Sequence, residues 1–143
     1  MAHSFKMTRS VTFAETDMAG ILHFSNYFRY MEEAEHAFFR SIGFRVHSCE
    51  RSRAWGWARR NATCDYQRPL RYEDEVELHL VVKEKRSKAL VYDVRFMLAG
   101  DEVARGQVTA VCVEQTDNGE LRAAEIPPAI DAAIEQAPAD TTL

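Results

Sequence analysis

The chain has 143 residues, 46% hydrophobic and 28% charged, with 18 Lys and Arg against 22 Asp and Glu, a net charge of −4 and a pI near 5.7. That balance argues against nucleic acid as the main partner, because binding a phosphate backbone calls for a basic surface. No stretch approaches the ~20 apolar residues of a membrane helix, and Met1–Lys6 lacks the apolar core of a signal peptide. The expectation is one cytoplasmic domain, residues 1–143, long enough to bury its own core.

Cys49, Cys64 and Cys112 are irregularly spaced and form no CxxC pair, which speaks against a zinc knuckle or a dithiol redox site. His3, His23, His36, His47 and His79 are scattered. The six glycines stand singly, so there is no phosphate loop or dinucleotide fingerprint, and no GxSxG elbow occurs. Neither a metal nor a cofactor is expected.

Met7 to Phe13 reads as a short strand with Val11 and Phe13 on one face. It runs into Ala14–Gly20, a loop whose Asp17 and Gly20 are turn formers. From Asn26 to Ser41, apolar and small residues recur at three- and four-residue steps: Tyr27, Tyr30, Met31, Ala34, Phe38 and Ser41. That spacing predicts an amphipathic helix. Arg29, Glu33, His36 and Arg40 fall opposite, with Arg29–Glu33 an i,i+4 pair of opposite charge. Ser25 or Asn26 can cap the start, and Gly43 stops the end.

Four strands follow. Trp55–Gln67 alternates weakly, whereas Glu75–Lys83, Leu90–Leu98 and Val103–Val113 alternate clearly. Short turns at Arg86–Lys88 and Ala99–Asp101 join the last three into an antiparallel meander. Pro127-Pro128 opens a short C-terminal helix. One long helix covers part of a five-strand α+β sheet, so the remaining apolar surface and the sheet edges call for a second copy, and a homodimer is expected.

The loop before the helix is where chemistry can sit. Asp17 lies near an expected helix N-terminus, whose outward N–H groups can stabilise an oxyanion. A carboxylate there can attack a carbonyl or activate a water. The alternative is that Asp17 merely caps or orders a turn.

Asp17-Met18-Ala19-Gly20-Ile21-Leu22-His23-Phe24-Ser25-Asn26-Tyr27 resembles the signature of hot-dog fold acyl-CoA thioesterases, in the branch of 4-hydroxybenzoyl-CoA thioesterase and the Tol–Pal operon enzymes. Lys83–Lys88 resembles that family's basic turn and Gly119–Pro127 its C-terminal segment, so Thr8 to Ile130 follow the pattern. The resemblance implies an antiparallel sheet wrapped around one long central helix. It also implies dimers, often paired into tetramers, with sites at the subunit interface.

For this chain the resemblance implies Asp17 as nucleophile or general base and the Phe24 backbone N–H as the group polarising a thioester carbonyl. His23 orients water or substrate, or is a solvated loop residue. Gly20 and Tyr27 contact substrate, and Arg86 and Lys88, with Lys85, hold the phosphates of coenzyme A. Arg59 and Arg60 are weaker phosphate ligands. The family has an aromatic residue and then His where this chain has His23 and then Phe24. Glu32 and Glu33 resemble the helix Glu that a second hot-dog class uses as its carboxylate, but here read as solvated charges. Trp55 and Trp57 share a strand face and read as core or interface. The substrate implied is an aromatic or short to medium acyl-CoA. The rival is a catalytically silent hot-dog module that binds acyl-CoA or a protein; a hot-dog dehydratase is disfavoured because its His motif is missing.

Overall fold

A computed structural model describes residues 1–50, 53–139 and 141. Strand β1 spans Ser4–Ser10, a single 3-10 turn Phe13–Glu15, helix α1 Asn26–Ser41, β2 Ser48–Glu50 and β3 Arg53–Tyr66. Then come β4 Glu75–Lys85, β5 Ala89–Leu98, β6 Asp101–Gln115, β7 Leu121–Ala123 and helix α2 Pro128–Ala133. The strands form a seven-stranded sheet in the order β1-β4-β5-β6-β3-β2, with β7 also on β6. Every pairing within it is antiparallel.

Helix α1 lies against β1, β3, β4 and β6, as the sequence pattern predicts, and its boundaries match the expected ones. Tyr27, Tyr30, Met31, Ala34, Phe38 and Phe39 face inward. They meet Val76, Leu78, Leu80 and Val82 of β4 and Leu90, Tyr92, Val94 and Phe96 of β5, all buried. The alternation along β4 and β5 is the imprint of that one covered face. Gly106 lets the helix come close: a Cβ there would collide with the Met31 side chain.

Several local expectations are corrected. β1 ends at Ser10 instead of running to Phe13, because Val11 N–H leaves the ladder for the Asp74 carbonyl at 2.9 Å and Thr12 begins the 3-10 turn. Ser41 is exposed, and Glu35 occupies the buried face in the company of Phe38 and Phe39. Ser25 precedes α1 without a side-chain cap bond; Asn26 sends its amide to the Glu15 carbonyl instead, at 2.8 Å. Glu33 pairs with Arg9 at 3.1 Å rather than with Arg29. β2 and β7, each of three residues, enlarge the expected five strands to seven. The Cys49 side chain lies outside the described residues, while Cys112 is buried in the core.

Candidate active site

Residues 16–22 fold back on themselves. Thr16 bridges Leu22 and Ile21 bridges Arg71, while Leu22 N–H donates to the Leu70 carbonyl at 2.7 Å. The tip is closed by Asp17 N–H to Ile21 O and Gly20 N–H to Asp17 O, both 2.9 Å. Gly20 sits at φ +81°, a left-handed conformation that glycine adopts without penalty. Asp17 Oδ1 accepts the Ala19 N–H at 2.9 Å and the Ile21 N–H at 3.4 Å. Among the described residues Oδ2 accepts no hydrogen bond. The carboxylate is thus anchored by one oxygen and presents the other.

The chain enters α1 through His23, Phe24 and Ser25. His23 N–H donates to Glu15 O at 2.9 Å, and Asn26 N–H to His23 O at 2.9 Å. Ser25 N–H donates to His23 Nδ1 at 3.2 Å, which makes Nδ1 an acceptor and puts the proton of the neutral ring on Nε2. The ring stacks on Phe24 with centroids 4.6 Å apart. The Phe24 N–H, between these bonded groups, donates to none of the described residues. The Tyr66 hydroxyl donates to the Phe24 carbonyl at 3.1 Å.

Asp17, Phe24, Tyr27, Tyr66, Gln67 and Arg68 line one groove of about 380 Å³. Burial pushes the Tyr27 phenol up to about 12, so it stays protonated at neutral pH. Phe24 and Tyr66 on the groove wall are exposed, as is Met18 next to Asp17.

A second cavity of about 190 Å³ lies between α1 and the sheet. Apolar Phe28, Met31, Ala62 and Val108 line it together with Glu35, Arg59 and Tyr92, and the charged Arg29 and Glu32 also border it. Burial raises the Glu35 carboxyl above its ordinary range against the opposing pull of Arg59. The wholly buried Tyr92 hydroxyl lies near Glu35 without a hydrogen bond of good geometry. The spacing of the sequence missed this cluster, although a Glu between Ala34 and Phe38 on an apolar stripe is itself the signal. Glu32, read as solvated, lies 3.5 Å from Arg59, which is committed to α1, while Arg60 is exposed at the bulge in β3.

The basic turn stands apart. β4 carries 11 residues between the Asp17 end and Lys85, so the two ends of the strand are roughly 30 Å apart. Arg86 is held by Glu84 at 2.8 Å and 3.0 Å, and Lys85 donates to the Asp131 and Ile134 carbonyls at the end of α2. Lys88 is exposed. Within one chain these residues do not meet Asp17. Among the described residues no cluster of His, Cys, Asp and Glu could hold a metal ion, and no helix is long and apolar enough to cross a membrane.

Residues 11–134 match the family model described as the thioesterase-like superfamily. The chain belongs to that superfamily. It is 26% identical over 137 residues to the 1,4-dihydroxy-2-naphthoyl-CoA hydrolase of Synechococcus sp. (strain WH7803), covering 91% of this chain and 88% of that protein. It is 48% identical over 80 residues to a putative esterase of Aquifex aeolicus, a match that covers 56% of this chain and 62%, less than two thirds, of that relative. Among solved structures, a gentisyl-coenzyme A thioesterase aligns with TM-score 0.75 and 26% identity over 90% of this chain and 98% of that one. A 4-hydroxybenzoyl-CoA thioesterase complexed with 4-hydroxybenzoyl-CoA aligns with TM-score 0.78 and 24% identity, over 92% and 99%. The architecture is the hot-dog fold of these thioesterases, with the sheet packed on one long helix and a second, short helix at the C-terminal end.

Proposed function

We propose that this superfamily member hydrolyses the thioester of a small acyl-CoA, aromatic or short to medium in its acyl group, to the free acid and CoA. Asp17 acts as nucleophile or general base, and the Phe24 N–H polarises the thioester carbonyl. The observation that carries the reading is the groove itself: an unbonded backbone N–H at the start of a helix and a carboxylate with one uncommitted oxygen line it together. The N–H meets the charge that develops on the carbonyl oxygen. In one route the carboxylate adds to the carbonyl carbon, CoA leaves as a thiolate and water hydrolyses the resulting mixed anhydride to the acid and free Asp17. In the other the carboxylate takes a proton from a water that adds instead, and the adduct collapses to the acid with loss of the thiolate. Tyr27 lines the groove, whereas Gly20 and His23 are not among its lining residues. Gly20 closes the turn that carries Asp17, and His23 orients water or substrate through Nε2–H from beside Phe24. The reaction so drawn calls on no metal or cofactor.

Three of the relatives named above act on aromatic acyl-CoA thioesters. The Asp17 groove supports an aromatic group here too, because Phe24, Tyr27 and Tyr66 line it and offer ring faces and edges to an aryl substituent.

A second copy completes the unit in this proposal. β3 pairs with β6 on one side and, near Trp55, with β2 on the other, which leaves its Trp57–Tyr66 edge open among the described residues. Antiparallel self-pairing along that edge sets the Trp55 end of one copy beside the Tyr66 end of the other. The partner's end carries the basic turn, so Arg86 and Lys88 reach the groove as phosphate contacts from the second subunit, and two such dimers can associate further.

Free-thiol release should be followed with benzoyl-, hydroxybenzoyl-, butyryl- and palmitoyl-CoA. Turnover of at least one, lost in Asp17→Asn with the oligomer intact by light scattering, is the expected result. Full turnover in Asp17→Asn overturns the assignment, and CoA binding without turnover across the panel favours a silent binding module.

A further inference from the structure

Glu15 holds two layers of contacts at once. Its side chain accepts hydrogen bonds from Arg9 Nη1 at 2.7 Å and Nη2 at 2.6 Å, from the Tyr30 hydroxyl at 2.7 Å and from the Thr12 N–H at 2.9 Å. Its backbone carbonyl accepts the His23 N–H at 2.9 Å and the Asn26 amide at 2.8 Å. Those last two donors lie on either side of Phe24. We propose that Glu15, locked by Arg9 and tied through its carbonyl to His23 and Asn26, is the positioning residue that aims the Phe24 N–H across the Asp17 groove. The inference rests on the reading of that N–H as the carbonyl-polarising group.

The geometry leads there for three reasons. A lone backbone donor in a loop contributes to catalysis to the extent that its direction is fixed before substrate arrives. The Phe24 N–H belongs to the peptide that joins it to His23, so clamping His23 N–H behind it and Asn26 ahead of it fixes that peptide's plane. A carbonyl can act as such a clamp if its own residue cannot turn, and the four bonds on the Glu15 carboxylate supply this. Arg9 extends the lock: it donates to Glu33 on α1 through Nε at 3.1 Å and Nη2 at 3.2 Å, and stacks 4.3 Å over the Tyr30 ring. One guanidinium therefore ties β1, the loop and the helix that begins two residues after the Phe24 N–H. The Glu15 carboxylate does not line the groove, so any effect it has on turnover runs through the backbone.

The test compares Arg9→Met and Asn26→Ala with wild type on the four-member CoA thioester panel, separating turnover from KM. Turnover should fall by about 10- to 100-fold, the scale of a misplaced catalytic group, with KM changed less than about threefold. Arg9→Lys should recover part of the loss, since an ammonium cannot span two carboxylates bidentately. A structural role alone does not move the second readout. In the Asp17→Asn background, with hydroxybenzoyl-CoA bound, the Phe24 N–H lowers the infrared stretch of the thioester carbonyl. That shift should shrink when Arg9→Met or Asn26→Ala is added. Wild-type turnover in both variants, or an unchanged carbonyl shift, overturns the inference while leaving Asp17 in place. Turnover that survives Asp17→Asn overturns the underlying reading instead, and the carbonyl shift still reports on the clamp. If Arg9→Met proves too unstable to assay, Asn26→Ala carries both measurements.

Discussion

The Glu35 carboxylate of α1, 2% exposed, grips the Arg59 guanidinium of β3 through Oε2–Nη1 at 3.2 Å and Oε1–Nη2 at 2.5 Å. The pair spans helix and sheet beside the second cavity, and its two members stand in different solvent. The Arg59 side chain keeps 32% of its surface in water and lies 3.5 Å from Glu32.

That asymmetry predicts unequal costs. Arg59→Met strands a buried carboxylate and should cost about 3 kcal/mol. Glu35→Gln leaves an acceptor for Arg59 and a guanidinium that can turn to Glu32 and solvent, and should cost about 1 kcal/mol. The folded-state pKa of Glu35 is raised by burial, so its ionisation destabilises the fold as pH rises. Without Arg59 the rise is larger, and the deficit of Arg59→Met should shrink as pH is lowered from 7 towards 5. Urea midpoints of the three proteins at both pH values check this. Equal midpoints for the two variants, or a deficit that grows in acid, would refute it.

Glu15 has the opposite sign. Burial alone would raise its carboxyl, but hydrogen bonds from Arg9, the Thr12 N–H and Tyr30 hold it down at about 2. A depressed folded-state pKa gives stability that is full above the unfolded value and fades as pH falls through the window from about 5 to 2. At ~1.4 kcal/mol per pH unit the amount lost is on the order of 2–3 kcal/mol. Glu15→Gln should be less stable than wild type at pH 6 and converge on it only near pH 2. Parallel unfolding curves across that range would contradict the assignment.

What the chain discloses in its own letters tracks the covering of its faces. α1 and the meander β4–β6 were legible because one face of each is buried and the periods of 3.6 and 2 survive in the residues. β2 and β7 were not, since three residues carry no period. Pairings such as Arg9 with Glu33 are set by how β1 approaches α1, and no spacing along the helix contains that information. The Asp17 loop could be read as a motif, yet the Glu15 clamp beneath it could not, because half of its bonds run through backbone atoms. Arg86 and Lys88 were legible as a basic turn, but the length of β4 decides which end of the sheet they occupy.

Gly20 offers a test of how closely the Asp17 turn is set. A Cβ there meets nothing within 4 Å, so Gly20→Ala brings no collision and pays for its left-handed backbone alone, about 1 kcal/mol. The turn can relieve that cost by rotating the Asp17–Gly20 segment. Stability should therefore fall little while turnover falls at least tenfold. A melting curve beside steady-state kinetics separates the two, and turnover within twofold of wild type would show that the turn tolerates the change.

Gly106 makes the contrary case, in which space rather than backbone is limiting. A Cβ at this position on β6 would run into the Met31 side chain and come within 3.1 Å of the Thr63 carbonyl on β3. The thioether is flexible and can yield, whereas the carbonyl belongs to the sheet and yields less. Gly106→Ala should cost about 1–3 kcal/mol, the ordinary scale of overpacking. Shortening the helix side chain at the same time removes the larger clash, so Met31→Ala and Gly106→Ala together should be less harmful than the sum of the two single changes. A double-mutant cycle from urea unfolding gives that coupling. A coupling energy indistinguishable from zero would mean that Met31 already moves out of the way, leaving the contact with β3 as the cost of a side chain at Gly106.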